Sequence, residues 1–152
     1  MIFPQRKSPR IPGYDYAKAN YYFITICTYE KKCIFGKPWL LNGFGEIAKD
    51  CFEAISVIYP GIRVDKYVVM PNHIHGIICI DGLQGSDLTK IVGQYKMSVT
   101  KKIREKEPGM EVWQRSFHDH VIRNQKSYEM IWQYIDQNPL KWEEDCFFSK
   151  ME

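Results

Sequence analysis

Two apolar runs, 64–70 and 73–80, separated only by Pro71-Asn72, limit the fold of this chain more than any other feature. Runs rich in Val, Ile and Tyr on either side of such a break predict a pair of strands joined by a tight turn. The second run opens His73-Ile74-His75 and continues Gly76-Ile77-Ile78-Cys79-Ile80. Residues i and i+2 of a strand share a face with Cα atoms about 7 Å apart, so the two imidazoles can converge on one metal ion. A bare H-x-H is equally two polar residues decorating a strand. Cys79 has the same parity, but at roughly 13 Å from His75 along the strand it is too far to complete the same ligand shell.

Around this pair the pattern predicts one further strand on each side and three helices. Residues 21–29 are aromatic and β-branched, and Glu30-Lys31-Lys32 follows as a polar turn. A loop with Gly36 and Pro38 comes next. From Glu46, Ile47, Cys51, Ile55 and Ile58 fall at helical spacing until Pro60-Gly61. Leu88, Ile91, Val92, Tyr95, Val99 and Ile103 predict a second helix over 87–106. Strand character returns in the second half of 112–123. Ser127 is a plausible cap for a helix carrying Tyr128, Ile131 and Ile135, and Pro139 ends it near Asn138. Strand, helix, strand, strand, helix, strand is a ferredoxin-like (RRM-like) α+β order: an antiparallel sheet with two crossover helices and an added C-terminal helix. That fold hosts many functions, so function must be argued from the site.

With 152 residues, 45% hydrophobic and 14% aromatic, the chain can bury a core as one domain without staples. Residues 1–20 read as an irregular basic arm and 21–152 as the single domain. No apolar stretch reaches the roughly 18 residues of a membrane span. Five cysteines without a C-x-x-C pair, and no apolar signal segment at the start, predict reduced thiols in a cytoplasm. A formal charge of +3 does not by itself identify a nucleic-acid partner, although Arg6, Lys7 and Arg10 cluster near the N-terminus.

The last helix offers partners for the histidines. Tyr134 and Asn138 are four apart and share a helical face. A phenol can act as a covalent nucleophile, and an amide oxygen is a hard donor for a divalent cation. Each has a duller reading: a helical Tyr is usually core or interface, and Asn before Pro commonly terminates a helix.

The segments 68–78 (Val-Val-Met-Pro-Asn-His-Ile-His-Gly-Ile-Ile) and 134–139 (Tyr-Ile-Asp-Gln-Asn-Pro) together resemble the single-tyrosine HUH transposases, in particular the REP-associated tyrosine transposase group. Gly13-Tyr14-Asp15-Tyr16, 22–28, Ile91-Val92-Gly93 and Val112-Trp113-Gln114-Arg115 add to the resemblance, which spans nearly the whole chain. It implies a nuclease and strand transferase for single-stranded or hairpin DNA. It further implies His73, His75 and Asn138 as metal ligands, Tyr134 as nucleophile, and magnesium or manganese as the cofactor. The group includes arrangements in which the tyrosine serves its own subunit or a neighbour's, so monomer and homodimer are both open.

A phenol near its ordinary pKa of about 10 is only about a thousandth ionised at neutral pH, so it needs help to lose its proton. The sequence names no base; His118 and His120 are available but read more naturally as strand-surface residues. Phosphate contact is expected from Arg6, Lys7 and Arg10 and from Lys90, Lys96, Lys101 and Lys102 on the second helix, against the alternative of a solvated helix face. Two rival functions are a binding module that holds repeat DNA without cutting it and a metal hydrolase that uses activated water.

Overall fold

The computed structural model describes residues 20–81 and 87–144. Arg6, Lys7, Arg10 and the segment Gly13-Tyr14-Asp15-Tyr16 lie outside them. The elements in order are β1 (Asn20–Cys27), a short ribbon β2 (Gly36–Lys37) and β3 (Leu40–Leu41), α1 (Gly43–Glu53), α2 (Ile55–Ile58), β4 (Ile62–Met70), β5 (His73–Ile80), α3 (Leu88–Lys106), β6 (His118–Ile122) and α4 (Gln125–Gln137). Four strands form one antiparallel sheet in the order β4-β5-β1-β6. This is the ferredoxin-like α+β arrangement, with β5 and β1 in the protected centre.

Strand parity sorts the core into two layers. On one face Tyr22, Ile24, Ile26, Ile74, Ile78 and Ile80 pack with Phe52 of α1 and with Leu88, Ile91, Val92, Tyr95, Val99 and Ile103 of α3. On the other, Phe23, Ile77 and Ile122 meet Ile131 and Ile135 of α4 in a smaller cluster. His73 and His75 have the parity of Ile77, so they face the α4 side.

The three longer helices, α1, α3 and α4, begin at side-chain caps. Asn42 Oδ1 accepts from Gly45 N, Asp87 Oδ1 from Lys90 N, and Asn124 Oδ1 from Ser127 N. Asn124, and not Ser127, therefore caps α4; Ser127 supplies the N–H that is capped. Asn124→Ala is expected to cost about 1 kcal/mol, read as a lower urea midpoint at unchanged slope.

Other boundaries move modestly. The first predicted helix starts earlier, at Gly43, and is broken at Ala54 into α1 and α2. The strand predicted over 21–29 stops at Cys27 because a 3-10 turn, Tyr29–Lys31, follows it. Glu30 and Lys31 in this turn both have left-handed backbone, φ 52° and 55°. β4 carries a bulge between Val64 and Lys66, which sets Asp65 apart from the ladder. No helix among the described residues is long and apolar enough to cross a membrane.

Candidate active site

The site is assembled by β5 and by α4 with the turn after it, which runs back along β5 from its Cys79 end to its His73 end. Tyr128, on the second turn of α4, meets Tyr21 with ring centroids 5.6 Å apart, and Tyr21 pairs with Cys79. Two turns later Tyr134 lies against His75 at 5.3 Å and edge-on to Phe23 at 6.1 Å. Beyond the helix, Trp142 stacks on His73 at 6.1 Å and 27°. Tyr134, Asn138 and Trp142 thus follow one another at four-residue spacing. Lys141 N donates to Gln137 O at 3.1 Å, which continues the helical course through the gap. Trp142 was missed from sequence, though that spacing could have revealed it.

The two imidazoles are 4.5 Å apart, centroid to centroid, and both are buried. His73 Nδ1 is 2.8 Å from Asn72 Oδ1, and His75 Nδ1 is 2.8 Å from Thr25 Oγ1. With Nδ1 engaged on each ring, Nε2 is the atom left to take a metal. Among the described residues no group of three or more His, Cys, Asp or Glu is placed to hold a metal. Asn138 could offer an oxygen donor: it is 3% exposed, and its Oδ1 has no hydrogen-bond partner among the described residues. An acceptor buried in this way costs about 1–3 kcal/mol, which coordination would relieve. Two imidazoles and an amide oxygen suit a hard or borderline divalent cation, manganese more comfortably than magnesium, and lack the thiolates that soft metals prefer.

α4 is held over the sheet by contacts with β4. Lys66 Nζ bonds Asp136 Oδ1 at 2.7 Å and lies 4.0 Å from the centre of the Trp132 ring. Tyr128 donates to Asp65 Oδ2 at 2.9 Å, which explains the bulge: it turns the carboxylate toward the helix. Burial and this carboxylate push the Tyr128 phenol up to about 12, so it stays protonated. The Tyr67 phenol is also raised, by burial and its bond to Glu53. Tyr134 alone of the α4 tyrosines stands beside the histidines.

The predicted basic contacts are divided. Lys90, Lys101 and Lys102 are exposed on α3, the helix behind the sheet from the histidines. Lys96 Nζ is committed to the backbone, donating to Gln114 O at 2.7 Å and Ser116 O at 2.9 Å. His118 pairs with Thr25 and His120 with Phe23, which puts both on the α4 face one strand beyond the site.

This ferredoxin-like sheet, with paired histidines at its centre and a tyrosine-bearing helix across them, is that of a transposase: the chain belongs to the IS200-like transposase family, whose family model matches residues 15–138. Among particular relatives, an uncharacterised Haemophilus influenzae protein is 37% identical, over 94% of this chain and 93% of its own length. A second protein of that organism, provisionally named a REP-associated tyrosine transposase, is 26% identical over 84% of this chain and 74% of its own. In fold the chain is similar to a REP-associated tyrosine transposase solved bound to a REP hairpin, with TM-score 0.63, 21% identity, and 87% and 73% of the two chains covered. It is also similar to a provisionally named transposase of Deinococcus radiodurans, with TM-score 0.55, 18% identity, and 84% and 95% covered.

Proposed function

We propose that this transposase-family chain is a metal-dependent endonuclease and strand transferase for single-stranded DNA with hairpin ends, working through a 5′-phosphotyrosine on Tyr134. The observation that carries the reading is the 5.3 Å approach of the Tyr134 ring to His75, within a buried histidine pair. The hairpin held by the structural relative supports the choice of DNA.

His73, His75 and Asn138 would hold magnesium or manganese. When bound, such an ion polarises the scissile phosphate and stabilises negative charge on the departing oxygen. Tyr134, as phenolate, attacks phosphorus; the new bond is tyrosine O–P and the bond lost is P–O3′. The 3′-oxygen leaves with the bonding pair and takes up a proton. One phosphodiester replaces another, so a second 3′-hydroxyl can attack the phosphotyrosine and restore Tyr134 without ATP. The packing of Tyr134 against Phe23 and His75 fixes the direction of approach, which is where positional catalysis acts.

The test is an oligonucleotide library of hairpins with single-stranded flanks, incubated with the protein and Mn2+, then denatured. A protein–DNA adduct that survives denaturation is the expected result. Retention of DNA without an adduct would favour the non-cleaving module, and cleavage without an adduct would favour a water-using hydrolase.

A further inference from the structure

We infer that Asn72 is a positioning residue that locks His73 in the Nδ1–H form, leaving the Nε2 lone pair for the cation, and that the left-handed Glu30-Lys31 turn exists to hold Asn72. The inference rests on the metal reading of the His73–His75 pair and adds to it how the pair is kept ready.

The argument starts from what each atom can do. Asn72 is fully buried. Its Nδ2 donates to the backbone carbonyl of Lys31 at 3.2 Å, and a carbonyl can only accept, so the amide cannot be turned over. The other end of the amide, Oδ1, must then face His73 Nδ1 at 2.8 Å. A carbonyl oxygen at that distance requires a proton on Nδ1. Neutral imidazole has one N–H, so Nε2 is bare.

The backbone of Asn72 is fixed as well. Its carbonyl accepts from Thr28 N at 3.0 Å and Thr28 Oγ1 at 3.1 Å, and Thr28 is fully buried. The Thr28 hydroxyl shares its single proton between that carbonyl and the nearer Lys32 O at 2.7 Å, which ties Asn72 to the turn that presents the Lys31 carbonyl. Two successive non-glycine residues in left-handed backbone are unfavourable and persist only where the surroundings demand them. Here the demand is visible: the turn aims the Lys31 carbonyl at the Asn72 amide. His75 is treated differently, because Thr25 is a hydroxyl that can donate or accept and imposes no single form. The lock is on His73.

The experiment uses full-length, metal-free protein with 15N-labelled histidine, at a pH where the imidazoles are neutral. Long-range proton–nitrogen correlations report which nitrogen carries hydrogen. The expected result is Nδ1–H for His73 in the parent protein and a mixture of forms in Asn72→Ala, with Mn2+ affinity about 10–100-fold weaker in the variant. Asn72→Asp keeps an acceptor at the ring but loses the donor to the Lys31 carbonyl, so it should keep the Nδ1–H form with a Mn2+ affinity between those of the parent and Asn72→Ala, which loss of structure would not. Nε2–H on His73 in the parent overturns the inference whether or not any variant folds. So does a folded Asn72→Ala that keeps the Nδ1–H form and the parent's Mn2+ affinity. Because the tautomer is read without metal or DNA, failure of the adduct assay alongside an Nδ1–H His73 would sink the cleavage reading and leave the lock standing.

Discussion

Replacing Tyr134 with phenylalanine is expected to abolish the covalent DNA adduct and lower strand cleavage by at least about 10³-fold, since a phenyl ring cannot form the O–P bond. The half-buried ring keeps its contacts with Phe23 and His75, so melting temperature and hairpin affinity should stay close to the parent's. The measurement is a denaturing gel of labelled hairpin with Mn2+, read beside a binding isotherm on the same preparation. Cleavage that survives the change assigns the reaction to water and removes Tyr134 from the chemistry. Tyr128→Phe is the matched control. Its phenol is tied to Asp65 and pushed up to about 12, so losing it should leave cleavage within a few-fold of the parent.

Gly76→Val is expected to destabilise the fold by about 3 kcal/mol, the upper end of the usual cost of overpacking. Gly76 follows His75 in β5 and has the parity of the α1–α3 layer. A Cβ built there falls 2.7 Å from Phe52 Cζ and 2.9 Å from Cε2. The Phe52 ring is fully buried, with Tyr67 at 5.4 Å and Tyr95 at 5.3 Å, so it has little room to retreat. Strand propensity argues the other way, because valine is favoured over glycine by about 1 kcal/mol. The clash is larger and decides the sign. A chain of this length should lose about 6–12 °C in melting temperature, and Phe52→Leu in the same chain should recover part of it. No change in melting temperature would show that the ring yields freely and that Gly76 is not held there by packing.

Residues that interact along one element were legible in the sequence, and those that meet across the fold were not. The 73–80 strand and the 88–106 helix emerge at their predicted places because eight and nineteen residues respectively are long enough for their periods to show. Parity alone put His73 and His75 on one face, and four-residue spacing put Tyr134 and Asn138 on another. That these two faces oppose each other came from the family resemblance; the layering of α4 on β5 supplies the physical reason. Asn72 and Thr25 escaped notice because Lys31 is 41 residues from Asn72, and Thr25 is 50 from His75. No local pattern encodes such pairings. The β2–β3 ribbon has two residues a side, too few for a period, and Asn124, three residues before Ser127, is as good a cap former by residue type, so composition alone does not separate them.

The unequal size of the two apolar layers bears on how the molecule opens. Among the described residues the layer under α1 and α3 gathers more than twenty buried hydrophobic side chains, whereas the one under α4 has five. Backbone amides of α4 should therefore exchange with deuterium through a local detachment that leaves the remainder protected, while those of α3 exchange only when the whole chain comes apart. The element that carries the proposed nucleophile would then leave its seat more readily than α3 does.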